Sequence, residues 1–187
     1  MMIGYALCGS FCTFPRSLEI LMALRRAGRD IQPIMSETAF TTDTRFGRAA
    51  SFREQIEGIC GHPIIHTVAA AEPLGPSTPL DALVICPCTG NTLAKLAHGI
   101  TDTAVCMAAK AHLRTDRPLL IALASNDAMS ANLGNMGQLL RRKQVFFTPM
   151  VQDDPANKPH SLVADFSLVP EALAAAMEGR QLRKLFL

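Results

Sequence analysis

The residues best suited to chemistry lie at 87–92, where Pro-Cys-Thr-Gly-Asn-Thr follows an apolar run and precedes a helical pattern. Threonine hydroxyls, an asparagine amide and the backbone N–H groups of a helix N-terminus come together there, and this set of groups suits a polar or anionic ligand. Capping residues are also common at helix starts that bind nothing, so an ordinary capped turn is the alternative interpretation. The candidate contacts in this loop are Pro87, Thr89, Gly90, Asn91 and Thr92.

Small polar residues follow three other apolar runs in the same way. These further candidates are Gly9, Ser10 and Thr13 after the first run, Ser36 after the second, and Ser125 and Asn126 after the run at 118–124. Because the carboxyl ends of parallel strands lie at one edge of a sheet, we expect these residues to line a common crevice.

Short apolar runs alternate with helical patterns along the chain, which predicts a parallel sheet covered by helices on both faces. We predict strands near 2–8, 30–35, 63–66, 81–86, 118–124 and 144–148. The fold class is therefore α/β, a doubly wound (Rossmann/flavodoxin-like) three-layer αβα fold with a parallel six-stranded sheet. We expect one domain over 1–187, with 148–187 as a C-terminal loop and helix. The strand order 3-2-1-4-5-6 would bring the loops after strands 1 and 4 together.

The loop after strand 1 restricts the kind of ligand. Residues 9–13, Gly-Ser-Phe-Cys-Thr, contain neither the G-x-G-x-x-G pattern of dinucleotide folds nor a Walker lysine. A ligand with a single phosphate, such as FMN, fits this loop better than a dinucleotide or a nucleoside triphosphate.

Composition narrows the class of protein further. The chain is 49% hydrophobic and only 18% charged, so we expect a homo-oligomer that buries apolar surface between subunits. The net charge of +2 and the scattered basic residues give no support for nucleic-acid binding. There is no signal-peptide pattern and no apolar run of about 18 residues, so we expect a cytoplasmic protein with no membrane contact.

The cysteines do not indicate a metal site. Six are present, and we expect all of them to be reduced. Cys86 and Cys88 are separated by one residue, which is the wrong spacing for a zinc knuckle, and no second Cys/His pair accompanies them.

Several blocks of the sequence resemble the family of dipicolinate synthase B subunits over nearly the whole chain. The blocks are 9–13, 41–47, 87–92, 125–127, 152–155 and 158–159. That family is similar to the flavoprotein superfamily of homo-oligomeric FMN-containing cysteine decarboxylases, in which Pro-Ala-Ser-Ala-Asn-Thr lines the flavin site. Residues 87–92 match this motif at Pro87, Asn91 and Thr92.

The resemblance also has departures. The decarboxylases carry a cysteine in a C-terminal substrate clamp, whereas this chain has no cysteine after Cys106, and of their Pro-x-Met-Asn stretch only Asn126 is retained. Peptidyl-cysteine decarboxylation is therefore not expected. His66 lies near the place of a catalytic histidine in those enzymes but in an unmatched stretch, so we interpret it as structural and leave the catalytic residue unknown.

The resemblance implies a role in the last step toward pyridine-2,6-dicarboxylate on the lysine branch in a spore former, in the mother-cell cytoplasm. A dihydrodipicolinate-type substrate loses two hydrogens in this step. The A subunit, which resembles a nicotinamide-dependent dehydrogenase, would carry NADP, and this chain would bind FMN or assist the partner. A trimer, or a multiple of three, is the implied assembly, with the apolar helix surface around 93–107 between protomers.

Arg45 and Lys158 are the basic residues inside the matching blocks, so either could bind a substrate carboxylate, or both could be solvated loop charges. Two other functions stay open. One is an FMN-dependent decarboxylase or prenyltransferase-type flavoprotein, and the other is a non-catalytic scaffold or partner subunit that has lost the cofactor.

Overall fold

Five parallel strands form the centre of the sheet in the computed structural model, which describes residues 1–187. They are β1 (Met2–Leu7), β2 (Asp30–Met35), β3 (Ala82–Cys88), β4 (Leu119–Ser125) and β5 (Val145–Phe147). Their order across the sheet is β2-β1-β3-β4-β5. β3 and β4 are buried at every residue, as their continuous apolar sequence requires for a strand covered on both faces.

The sixth predicted strand, at 63–66, is reduced to one parallel bridge between Ile65 and Ile34. Ile65 N–H donates to the carbonyl of Pro33 at 3.0 Å, and its own carbonyl accepts from Met35 N–H at 2.9 Å. Counting this segment as strand 3, the predicted order 3-2-1-4-5-6 is confirmed, and so is the predicted fold class.

Helices cover both faces of the sheet. They are α1 (Phe14–Arg26), α2 (Glu37–Thr41), α3 (Ala49–Cys60), α4 (Val68–Ala71), α5 (Gly90–His98), α6 (Ala104–Leu113), α7 (Leu133–Leu140) and α8 (Val169–Met177). α1 packs on α3 and α8, whereas α5 packs on α6 and α7. No helix is both long enough and apolar enough to span a bilayer.

The C-terminal part differs from the sequence prediction of a loop and a helix only. Two short strands, β6 (Met150–Val151) and β7 (Leu162–Ala164), pair antiparallel to each other, and β7 continues antiparallel onto the end of β4 through Ala124 and Ser125. The sheet is therefore not wholly parallel. Strands of two and three residues are too short to show a period in the sequence, and a polar loop separates them.

β3 also extends beyond its predicted end at residue 86. It continues through Pro87 to Cys88, with an irregular register against β4 between Ile85 and Cys88. A proline is tolerated there because a bulge already interrupts the ladder. As a result Pro87 lies buried in the strand, and the exposed part of the loop begins at Thr89.

Candidate functional site

Two cavities lie side by side at the carboxyl ends of the parallel strands and share Gly9 and Thr89. We call the first, of about 430 Å³, the arginine cavity. It is lined by Gly9, Ser10, Phe11, Cys12, Thr13, Arg16, Phe46, Thr89, Gly90, Ala124, Ser125, Asn126, Asp153, Ser161 and Val163. We call the second, of about 450 Å³, the polar cavity, because no hydrophobic residue lines it. It is lined by Gly9, Ser36, Glu37, Thr38, Thr89, Asn91, Thr92, Lys95, Asp102 and Thr103. Together they form one crevice at the predicted switch point.

Hydrogen bonds fix the loop between β1 and α1 against the neighbouring strand. Thr13 Oγ1 donates to the carbonyl of Ser10 at 2.8 Å, which closes the loop on itself. Ser17, in the first half of α1, donates through its hydroxyl to the carbonyl of Cys86 at 2.6 Å. Gly9 and Ser10 are thereby held beside the end of β3, where the second loop begins.

The loop after β3 is built around two threonines. Thr89 is the N-cap of α5, and its Oγ1 accepts from the backbone N–H of Thr92 at 3.3 Å. Thr92 is buried and donates through its hydroxyl to Cys8 Sγ at 3.3 Å, which joins this loop to the end of β1. The capped-turn interpretation and the binding-loop interpretation are therefore compatible, because Thr89 caps the helix while it lines both cavities.

Several hydrogen-bond donors in the crevice have no partner in the protein. No loop or turn hydrogen bond uses the backbone N–H of Gly9, Gly90 or Asn91. The exposed side-chain amides of Asn91 and Asn126 also make no hydrogen bond within the chain. N–H groups at the start of a helix carry partial positive charge, so this arrangement suits a ligand with acceptor oxygens.

A compact polar cluster supports the floor of the arginine cavity. The Asp127 carboxylate accepts from the Ser125 hydroxyl and, at 3.0 Å to each oxygen, from the Asn132 amide. The hydroxyl of Ser125, and then the amide of Asn132, lower the pKa of Asp127, so the carboxylate stays ionised. Gly90 lies directly against these three side chains.

Arg16 is a basic residue in the crevice that the sequence analysis did not single out. It lies in the first turn of α1, and its guanidinium sits 5.1 Å from the centroid of the Phe166 ring. It pairs with no carboxylate, so its positive charge is available in the arginine cavity. The signal in the sequence was its place one residue after Pro15, at the start of the helix that follows the first loop.

The loop at 152–161 forms one wall of the arginine cavity through Asp153 and Ser161. Asp153 accepts from the Ser161 hydroxyl at 2.6 Å and from the Lys158 ammonium at 2.9 Å. The Ser161 hydroxyl, followed by Lys158, lowers the pKa of Asp153. Lys158 is thus engaged inside its own loop, and a substrate carboxylate would compete with Asp153 for it.

We expect replacement of Asp153 by Asn to loosen this loop. A carboxylate whose pKa is lowered in the folded state stabilises that state above its unfolded pKa, and this contribution is lost as the pH falls through the lowered folded-state pKa. Amide hydrogen exchange of residues 152–161 should be about tenfold faster in Asp153→Asn at pH 7, and should lose the acid dependence of the wild type. Asp165→Asn, which alters a carboxylate outside this loop, is the control; equal protection in both variants would contradict the assignment.

The remaining charges lie in the polar cavity. Lys95 donates to both oxygens of Asp102 at 2.8 and 2.9 Å, so this pair is neutral. Glu37 is the one unpaired charge among the lining residues. Ser36 accepts from the N–H of Ala39 as the cap of α2, which leaves its hydroxyl hydrogen free for a ligand. The cavity fits hydroxyl and phosphate groups, with Glu37 as the one group that opposes an anion.

The buried cysteines are not reactive groups of this site. Burial raises the pKa of Cys8 and of Cys86 to about 12, and that of Cys88 well above its usual value, so these thiols stay protonated. Cys12 is exposed and lines the arginine cavity. All six cysteines are free, and no three His, Cys, Asp or Glu side chains converge on a point that could hold a metal ion.

The structure brings ten of the eleven predicted cofactor contacts to the crevice, namely Gly9, Ser10, Thr13, Ser36, Thr89, Gly90, Asn91, Thr92, Ser125 and Asn126. The eleventh, Pro87, is buried behind it. Arg45 is exposed outside the lining, with its guanidinium 4.9 Å from the centroid of the Phe46 ring, which does line the arginine cavity. His66 packs against Phe40 and lines neither cavity.

Comparison with known proteins adds to this geometry. The family model described as Flavoprotein matches residues 1–164. The dipicolinate synthase B subunit of Bacillus subtilis (strain 168) is 40% identical over 183 residues, which cover 98% of this chain and 92% of the relative. The crystal structure of the dipicolinate synthase B subunit from Bacillus halodurans C has a TM-score of 0.91 at 39% identity, covering 100% of this chain and 95% of that one. The FMN-dependent cysteine decarboxylase SpaF has a TM-score of 0.66 at 25% identity, covering 94% of this chain and 97% of that one.

Proposed function

This chain belongs to the flavoprotein family, within which it is related over nearly its whole length to dipicolinate synthase B subunits, and we propose that it serves as such a subunit. It would act with a nicotinamide-dependent A subunit to oxidise a dihydrodipicolinate-type substrate to pyridine-2,6-dicarboxylate in the mother-cell cytoplasm of a spore former. The observation that carries this proposal is the crevice, in which a polar cavity and an arginine cavity meet at Gly9 and Thr89.

FMN is the cofactor that we propose for the crevice. The hydroxyls of Ser10 and Ser36, with the N–H of Gly9, would hold the phosphate, and the amides of Asn91 and Asn126 would contact the ring system. The absence of apolar side chains in the polar cavity supports this assignment, because a phosphate and a ribityl chain need hydrogen-bond partners along their length. When bound, FMN would supply a two-electron acceptor.

The substrate carboxylates need cations. Arg16 is the best placed, because it lines the arginine cavity and has no carboxylate partner. Arg45 lies outside the lining, beside Phe46, and would reach the same space only from the rim of the cavity. Lys158 would bind the substrate only if it gave up its ion pair with Asp153. We therefore assign the first carboxylate to Arg16, with Arg45 or Lys158 as the contact for the second.

A partner must carry the nicotinamide. The loop at 9–13 has no dinucleotide pattern, so NADP would bind to the A subunit, while this chain binds and orients the substrate. The two hydrogens removed from the substrate would pass to NADP on the partner or to FMN in the crevice. Either acceptor takes up the two electrons that the substrate loses.

FMN binding tests the cofactor assignment. We expect Ser10→Asp to lower FMN affinity at least about a hundredfold, because the new carboxylate would repel the FMN phosphate in addition to Glu37. Glu37→Gln should raise the affinity, since it removes the unpaired carboxylate from the polar cavity. Glu19→Gln, on the exposed side of α1, is the charge-matched control for Glu37. Flavin fluorescence titration measures all three, and an affinity for FMN that neither change alters would refute the placement.

A homo-oligomer is the assembly that we propose, in a multiple of three. The apolar residues of α5 and α6, which the sequence favoured for the interface, are mostly buried inside the protomer. α7 instead presents Leu133 and Leu140, 50% and 38% exposed, seven residues apart on one face. Leu133→Glu/Leu140→Glu should therefore sediment as a smaller species than the wild type, and a wild-type chain that sediments as a 20.2 kDa monomer would refute the proposal.

A further inference from the structure

A third cavity, which we call the α6 cavity, lies away from the crevice and shares no lining residue with it. It encloses about 360 Å³ between the end of α5, the outer side of α6 and the segment after α7. Its floor is apolar, formed by Leu96, Ala109 and Leu113. Ile100 lies at its wall and is 47% exposed, so it adds a large aliphatic side chain to the apolar lining.

Three cations surround this apolar floor. Lys110 lies in α6, Arg114 is the C-cap residue of α6, and Arg142 comes from the residues after α7. None of them forms an ion pair within the chain, and no Asp or Glu lines the cavity. Arg142 Nη1 donates to the carbonyl of Leu96 at 3.2 Å, which holds its guanidinium at the end of α5 beside the cavity lining.

Helix dipoles account for only part of this arrangement. A cation near the carboxyl end of a helix is favourable, and Lys110 in the last turn of α6, Arg114 at its C-cap and Arg142 at the end of α5 occupy such positions. The helix dipole does not explain why cations from two separate segments meet around one apolar cavity that no carboxylate lines. Other basic residues of the chain, such as Lys95 and Lys143, do have acidic partners.

We propose that the α6 cavity binds a small dicarboxylate with a flat apolar body, such as a benzene dicarboxylate. The ring would cover Leu96, Ala109 and Leu113, and the carboxylates would pair with Arg114 and Arg142 in charge-assisted hydrogen bonds, with Lys110 adding a third positive charge. The cavity has the size of ordinary small-molecule sites. This site goes beyond the proposed function, because it is separate from the crevice.

Isothermal titration of the full chain with benzene-1,3-dicarboxylate tests the proposal. We expect Arg114→Gln and Lys110→Gln each to weaken binding by about tenfold or more. Arg141→Gln removes the same charge beside Arg142 but outside the cavity, and it should leave the affinity within about twofold. Succinate, which has two carboxylates but no ring, should bind at least about tenfold more weakly than the probe.

A variant in the crevice separates the two sites. Because the crevice is proposed to take a dicarboxylate substrate, the probe can also bind there, and Arg16→Gln should remove only that component of the titration. The component assigned to the α6 cavity should keep its affinity in Arg16→Gln and lose it in Arg114→Gln, which in turn should leave FMN binding unchanged. The proposal is overturned if the wild type does not bind the probe at millimolar concentration, if Arg16→Gln removes all of the probe binding, or if Arg141→Gln weakens it as much as Arg114→Gln. None of these results would bear on FMN in the crevice, which the flavin titration measures separately.

Discussion

Replacement of Gly90 by Ala should damage both the stability and the ligand affinity of this protein. A Cβ at position 90 would lie 2.5 Å from Ser125 Oγ, 2.6 Å from Asn132 Nδ2 and 2.8 Å from Asp127 Oδ1. These short side chains are tied to one another by hydrogen bonds, so none can move without breaking the cluster around the Asp127 carboxylate. Overpacking of this kind costs about 1–3 kcal/mol.

The same change should lower FMN affinity by at least about tenfold, because Gly90 and Ser125 both line the arginine cavity. Urea denaturation and flavin titration measure the two effects. Gly58→Ala is the matched control, since a Cβ there meets nothing within 4 Å and the residue lies inside α3. We expect Gly58→Ala to be neutral or stabilising by about 0.5–1 kcal/mol. Equal stability of the two variants would contradict the steric argument.

Dipicolinate should form only when this chain and its partner subunit are both present. We expect no product from either purified chain alone with dihydrodipicolinate and NADP, and restored synthesis when the two are mixed. The reason is the proposed division of binding sites, because this chain lacks a dinucleotide loop and carries the crevice that we propose for the substrate. Conversion by this chain alone with NADP as the sole acceptor would make both the missing-motif argument and the two-subunit proposal wrong.

The reconstituted reaction also tests the role of Arg16. Loss of a charge-assisted contact to a carboxylate costs about 1.5–3 kcal/mol, so Arg16→Gln should raise KM at least about tenfold with a smaller change in kcat. Arg26→Gln, at the other end of α1, removes the same charge far from the crevice and should behave as the wild type. If Arg16→Gln leaves KM unchanged, Arg16 does not bind the substrate carboxylate, and the contact would be assigned to Arg45 or Lys158 instead.

The sheet could be predicted from the sequence because each strand is recognisable from its own few consecutive residues. Continuous apolar runs such as 82–86 and 119–124 leave no polar face, so they must be buried on both sides, and the helices between them force parallel pairing. The same logic located the crevice, since polar residues directly after such runs lie at one sheet edge. Gly9, Thr89 and Ser125 were predicted in this way, and the structure brings them together.

Other features depended on contacts between distant segments, which leave no periodic signal in the sequence. Pro87 was expected in the binding loop, but a bulge continues β3 through it, and this became visible only with β4 beside it. Lys158 looked like a free loop cation until the fold of its loop placed Asp153 against it.

The sequence by itself determined the fold class and the edge of the sheet that carries the crevice, because burial and parallel connections follow from residue type along the chain. The strand order was assumed to be the usual one for such folds, and the structure has it. Only the tertiary structure decided which charges remain available. Arg16 is free because the fold gives it an aromatic ring and no carboxylate, whereas Lys158 and Lys95 are paired. Ion pairing depends on distances of a few ångströms between segments far apart in the chain, and no spacing in the sequence encodes those distances.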